Sequence, residues 1–148
     1  MAIPPLMESG DLPPGVHRAA LSDVLSLFGA GSARRKAAAL RLERVYSIAR
    51  ATGHLARCVV FGSFVTAKAE PNDVDPFLLM DDDFDAQRLA VEENLLFDHA
   101  AAQAHLGASV FWLRRAAAWE GEQAAVEYWQ VKRGGGQRSV IELTSEGS

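Results

Sequence analysis

The sequence predicts an α/β (α+β) domain: a small mixed β-sheet of about four strands, with helices packed mainly on one face. Three observations predict it. Short runs of β-formers bounded by turn residues recur at Cys58–Phe61, Phe77–Met80, Ser109–Leu113 and Arg138–Leu143. Helix-periodic stretches with polar starts and glycine stops alternate with them. The chain is 49% hydrophobic and 23% charged over 148 residues, which is enough apolar material for one core. No repeat or shift in composition divides it, so residues 1–148 read as a single domain.

Taken in order, residues 1–16 carry Pro4-Pro5 and Pro13-Pro14-Gly15 and read as an extended arm without regular structure. His17 reads as a packing or hydrogen-bonding residue. Leu21, Val24, Leu25 and Phe28 repeat at helical spacing, with Ser22 as the N-cap and Gly29 as the stop. Ser32 caps a long second helix that ends near Gly53, with a core stripe of Ala38, Leu42, Val45 and Ala49. Its bases, Arg34, Arg35, Lys36, Arg41, Arg44 and Arg50, read as a solvated face.

After the motif strands, Asp83 or Asp85 starts a helical piece that runs to about Val91. A second piece covers Glu92–Leu106, with Leu95, Leu96, His99 and Ala102 on one side, and Gly107 ends it. His99 and His105 do not share a helix face, so they do not form a metal pair. A further helix is expected over Gly121–Gln130, with Trp119, Tyr128 and Trp129 as core anchors, and a mobile turn over Lys132–Gln137.

Bulk properties exclude several classes. No stretch approaches a membrane span, and the N-terminus has neither a basic start nor an apolar core, so no signal peptide is expected. A single cysteine, Cys58, excludes an internal disulfide and a cysteine-based zinc site, and reads as a buried thiol. A cytoplasmic protein fits these features. The net charge of −4 makes a poor generic nucleic-acid binder. The acids from Asp73 to Asp85 form one run without a base, a candidate for drawing cations.

The chemistry concentrates in Arg57–Met80, RCVVFGSFVTAKAEPNDVDPFLLM. A strand ends in Gly62-Ser63, and a short helix or loop follows. The next strand opens on Asp73-Val74-Asp75. Residues two apart on a strand point to one side, so Asp73 and Asp75 project together while Val74 faces the core. Two like charges held together repel, and a divalent cation removes that cost. Carboxylate oxygens suit Mg²⁺ or Mn²⁺, which take one or two carboxylates plus substrate phosphates. Gly62 allows close backbone approach, and Ser63 adds a hydroxyl and an N–H for a phosphate. Lys68 is placed to neutralise phosphate charge.

Phe61-Gly62-Ser63, nine residues, then Asp73-Val74-Asp75 resembles the signature of the nucleotidyltransferase fold shared by polymerase-β-like enzymes and minimal nucleotidyltransferases. GSFVTAKAEPNDVD, with LPPGVHRA (12–19) and WQVKRGGGQRSVIEL (129–143), is similar to a small bacterial branch of that superfamily. The resemblance implies a metal-dependent transfer of NMP from an NTP such as ATP. Asp73 and Asp75 are then the catalytic metal ligands, and Gly62, Ser63 and Lys68 bind nucleotide. The acceptor stays open among an RNA end, a protein hydroxyl and a small molecule. Two positions depart from the pattern. Pro76 follows the second aspartate, which implies an edge strand or a bulge there. Ser109 falls where the family takes a third carboxylate, and a serine does not replace an anionic ligand. The alternatives are a catalytically weak nucleotide-binding or regulatory module, or the interaction protein of a toxin–antitoxin-like pair with a small helical partner.

Overall fold

A computed structural model describes residues 3, 6–8, 12, 15–61, 63–65, 74–85, 91–115 and 139–144. The order is β1 (Gly15–Ala20), α1 (Leu21–Phe28), α2 (Ala33–Ala51), β2 (Leu55–Phe61), a 3₁₀ turn (Ser63–Val65), β3 (Asp75–Met80), α3 (Val91–Leu96), α4 (His99–Ala101) continuing as a π turn (Ala102–Leu106), β4 (Phe111–Arg114) and β5 (Ser139–Thr144). The strands form one mixed sheet in the order β1-β5-β2-β3-β4. β1 runs parallel to β5, β4 runs parallel to β3, and β2 is antiparallel to both of its neighbours.

The mixed α/β class holds, but among the described residues the sheet has five strands rather than about four. The added strand is β1, whose first residues read as part of an unstructured arm. GVHRAA has no strong apolar alternation of its own. Its six residues are held by an unbroken parallel register with β5, Gly15↔Ser139 through Ala20↔Thr144, a partner more than a hundred residues away. The arm also reaches the core earlier than expected: Leu12 is 1% exposed.

Helix α1 is capped two residues before the expected Ser22, at Ala20 and with no side-chain cap, and Gly29 N–H closes it on the Leu25 carbonyl. For α2 the expected cap is present: Ser32 Oγ accepts from Arg35 N–H at 3.1 Å. The single helix expected over 92–106 is broken at Asp98, whose carboxylate accepts from Ala101 N–H and begins α4 afresh. Gly107 then ends the π turn with φ 66°, a left-handed position where a Cβ would also press on the Arg41 side chain. The expected helix starts at Asp83 or Asp85 lead into residues 86–90, and the segment with Trp119, Tyr128, Trp129 and Lys132–Gln137 lies outside the described residues as well.

All the described helices pack on one sheet face. That core joins Val24 and Phe28 of α1, Leu42, Val45 and Ala49 of α2, and Leu96 and Leu106 with Cys58, Val60, Leu78, Met80 and Ile141 of the sheet. The opposite face carries a smaller cluster of Val59, Phe61, Phe77, Leu79 and Val140. Glu142 lies on that second face, opposite Val59 in the β2–β5 register. It is buried and held by both Nε and Nη2 of Arg57, at 3.0 and 2.5 Å. The pair is a two-pronged carboxylate–guanidinium contact that satisfies both carboxylate oxygens.

Burial pushes the Cys58 thiol up to about 12, with the Glu142 charge adding to the shift. The thiol ionises in the unfolded chain near its ordinary 9.0, while the folded chain keeps its proton until about 12. Above the first value the unfolded state binds fewer protons, so stability falls as pH rises between the two. Urea melts at rising alkaline pH should show wild type losing stability relative to Cys58→Ala. The native thiol should resist labelling that denaturant unmasks. Parallel slopes, or rapid labelling of the folded protein, would contradict this account.

Candidate active site

The site is built at one end of β2 and β3. Strand β2 ends at Phe61, which pairs with Asp75, the first residue of β3. A 3₁₀ turn over Ser63–Val65 follows Gly62, and its side chains explain why it sits there. Phe64 is fully buried, with its ring 6.1 Å from that of Phe28, and Val65 is 1% exposed. The turn is therefore drawn down onto the helix-side core. Arg35 fastens it further: Nη1 donates to the Phe64 carbonyl at 3.0 Å and to the Phe28 carbonyl at 3.1 Å. One guanidinium thus ties the end of α1 to the turn that follows Gly62-Ser63.

Val74 is fully buried on the helix side, as strand alternation requires. Asp75 is half-buried and shares the second face with its partner Phe61. Gly62, Lys68 and Asp73 lie outside the described residues, as does the side chain of Ser63. Gly62 is the chain neighbour of Phe61, and Asp73 of Val74. Among the described residues, no group of three His, Cys, Asp or Glu side chains is arranged to hold a metal ion.

Ser109 comes to the same place. Its N–H donates to the Val74 carbonyl at 3.1 Å, one of the two bonds that a parallel Asp75–Ser109 pair requires. The other would need an N–H on residue 76, and Pro76 has none. Regular pairing accordingly begins two residues later, at Phe77↔Phe111. Pro76 therefore marks neither an edge nor a bulge. β3 is flanked by β2 and β4, and the register shift in β2 lies at its far end, between Leu55 and Arg57. The proline delays the start of β4 instead. Ser109 Oγ accepts from Gln103 Nε2 at 3.0 Å.

An aromatic row borders this end of the second face. The rings of Phe61 and Phe111 are 6.3 Å apart, and those of Phe111 and His99 are 5.0 Å apart. His99 Nδ1 lies 3.0 Å from the Val110 carbonyl, to which it donates. The sequence places His99 on one side of a continuous helix with Leu95, Leu96 and Ala102. The break at Asp98 leaves it exposed at the edge of β4.

The acidic run is split by the strand. Asp75 opens β3, whereas Asp81 to Asp85 follow its end, about 20 Å away at the rise of a strand. Asp83 and Asp85 instead line a separate cleft of about 400 Å³ with Thr52, His54, Phe84 and Glu93.

Residues 4–144 match the model of a family of unknown function, DUF6932. The chain belongs to that family. The match spans every strand of the sheet, so the whole β1-to-β5 unit is the DUF6932 domain. No curated protein and no solved structure matches the chain. Among the described residues no helix is long and apolar enough to cross a membrane.

Arg35 is the residue of this DUF6932 site that sequence reading missed. It was grouped with a solvated basic face, yet it is 8% exposed. The signal was present in its spacing: Arg35, Ala38, Leu42, Val45 and Ala49 follow one another by three and four along α2, on the buried stripe.

Proposed function

We propose that this DUF6932 member is a metal-dependent nucleotidyltransferase that passes NMP from an NTP to an acceptor hydroxyl, in the cytoplasm. One observation carries the reading: the Phe61–Asp75 pairing brings the end of the strand before Gly62-Ser63 against the start of the strand after Asp73-Val74. A glycine-serine turn and a carboxylate pair at one sheet end are the parts that nucleotidyl transfer needs. Asp73 and Asp75 would hold Mg²⁺ or Mn²⁺, which supplies charge neutralisation at the triphosphate. Gly62 and Ser63 would contact the phosphates, with Lys68 beside them. The acceptor oxygen forms a bond to the α-phosphorus, and the bond from that phosphorus to the bridging oxygen breaks. Pyrophosphate leaves with the electron pair, and the hydroxyl proton passes to water.

Ser109 favours a second reading, a nucleotide-binding module with weak turnover. Its neighbour across the ladder is Asp75, where a third carboxylate would complete the ligand set, and a hydroxyl stands there instead. Ser109→Asp should therefore strengthen Mn²⁺ binding about 10-fold or more in calorimetry, since even outer partners of a metal site change affinity by that much. Unchanged affinity would remove Ser109 from the site.

The deciding experiment incubates the purified protein with each of the four NTPs, Mg²⁺ or Mn²⁺, and candidate RNA, protein and small-molecule acceptors. Pyrophosphate release with label transfer supports the enzyme. Saturable NTP binding without release supports the module. A melting temperature indifferent to NTP and metal overturns both and leaves a protein-interaction role.

A further inference from the structure

We infer that the groove between α1 and α2 is a self-association surface, in which Leu40 of each of two copies seats in the groove of the other. The inference stands apart from the nucleotide reading, since none of its residues belongs to the strand ends.

Shape is the first argument. The two helices leave a groove of about 360 Å³ at the surface, lined by Leu25, Gly29, Lys36, Ala39, Leu40 and Glu43. Its floor is made of small residues. A Cβ on Gly29 would fall 2.7 Å from that of Ala39, so the end of α1 lies tight against α2. Beside this hollow stands Leu40, 66% exposed and the most exposed large apolar side chain among the described residues. A single exposed leucine is ordinary. One that stands next to a hollow floored by glycine and alanine is a knob beside a hole of matching chemistry.

Charge chooses the occupant. Lys36, Leu40 and Glu43 follow one another by four and three residues along α2, and all three are exposed. They form one stripe, with the apolar residue between opposite charges. Lys36 and Glu43 are two turns apart, too far to pair with each other. Neither head group has a hydrogen bond or an ion pair among the described residues. Of the bases in α2, Lys36 alone lines the groove among the described residues.

A second copy answers every one of these features. A twofold axis midway between Ala39 and Leu40 of two antiparallel α2 helices sets Lys36 opposite the second copy's Glu43, and Glu43 opposite its Lys36. The same register puts each Leu40 against the other copy's Ala39, on the floor of the groove. The surface is therefore complementary to itself, as a twofold interface requires. Its apolar centre excludes water, and the flanking charges fix the register.

Sedimentation velocity on the purified full chain, from about 1 μM to about 1 mM, tests this over the range of weak to moderate affinities. Wild type should pass from monomer to dimer. Leu40→Asp, which carries a charge into the hole, should stay monomeric throughout. Lys36→Glu and Glu43→Lys should each weaken dimerisation by about 10-fold or more, because the twofold axis turns one substitution into two like-charge contacts. An equal mixture of these two variants should dimerise again, since each supplies the charge that the other lacks. Both reversals in one chain should also restore the dimer. Thermal melts at the lowest concentration, where wild type too is monomeric, should coincide for all the variants, because the substituted side chains are exposed. A wild type that stays monomeric at the highest concentration would overturn the inference. A dimer that the three single substitutions leave intact would place the interface on another face and overturn it as well. So would single reversals whose mixture stays monomeric, because the two charges would then not meet across the axis.

Discussion

Asp73→Asn/Asp75→Asn should abolish NTP turnover and metal-dependent nucleotide binding while the protein stays folded. The change removes two negative charges from one strand end with almost no change in shape. Loss of outer partners of a metal site costs about 10–100-fold. Loss of the ligands themselves should exceed that range. Without metal, the double variant should melt no lower than wild type, because like charges held together repel in the native state. The opposite pattern has a different meaning. If the aspartates only accept turn hydrogen bonds, each replacement should lower stability by about 1 kcal/mol, with nucleotide binding untouched. Melting curves of both proteins with and without Mg²⁺ and ATP separate the two cases.

The largest effect on stability should come from Arg35→Met. The side chain keeps its length and apolar stem but loses the Nη1 that serves the Phe28 and Phe64 carbonyls. Hydrogen bonds from a charged donor contribute about 1.5–3 kcal/mol each, and both acceptors are buried. A net loss of about 2–4 kcal/mol is expected, which lowers the melting temperature by about 10 °C in a protein of this size. Amide exchange at Phe64 and Val65 should quicken more than exchange in β5, because the turn loses its tether first. Arg35→Lys should recover only part of the stability, since one ammonium does not reproduce the planar fork. Uniform loss of protection across the sheet would show that Arg35 supports the core as a whole.

The two sites differ in how well the sequence announced them. Helix α2 was legible because its signals are local: a serine cap, a run of helix formers, and an apolar stripe repeating every three to four residues. The ends of β2 and β3 were legible for the same kind of reason. Gly62-Ser63 breaks an apolar run, and Phe77–Met80 resumes it. Even Val74 facing inward follows from alternation. Arg35 was misread because composition outweighed position. Six bases on one helix suggest a wet face, although spacing put one of them on the buried stripe.

Other features had no local signal. β1 forms because β5 offers it a parallel partner, and the weak pattern of GVHRAA does not reveal a strand so distant in sequence. Pro76 suggested an edge or a bulge from its own chemistry. Only the order of the sheet shows β3 between two neighbours, with the missing N–H expressed in β4 instead. The acidic run reads as continuous along the chain, yet β3 puts Asp75 at one of its ends and Asp81–Asp85 beyond the other. His99 reached the edge of β4 because Asp98 capped a new helix in place of continuing the old one. The sequence alone determined the mixed α/β class, the long basic helix, and the glycine-serine and aspartate motifs on two strands. Tertiary structure decided which strands meet, which base is buried, and that Asp75, Ser109, Phe111 and His99 stand together. Caps, periodicity and turns act over a few residues and can be read there. Pairing and burial join residues far apart in the chain, and their free energy exists only once the sheet has closed.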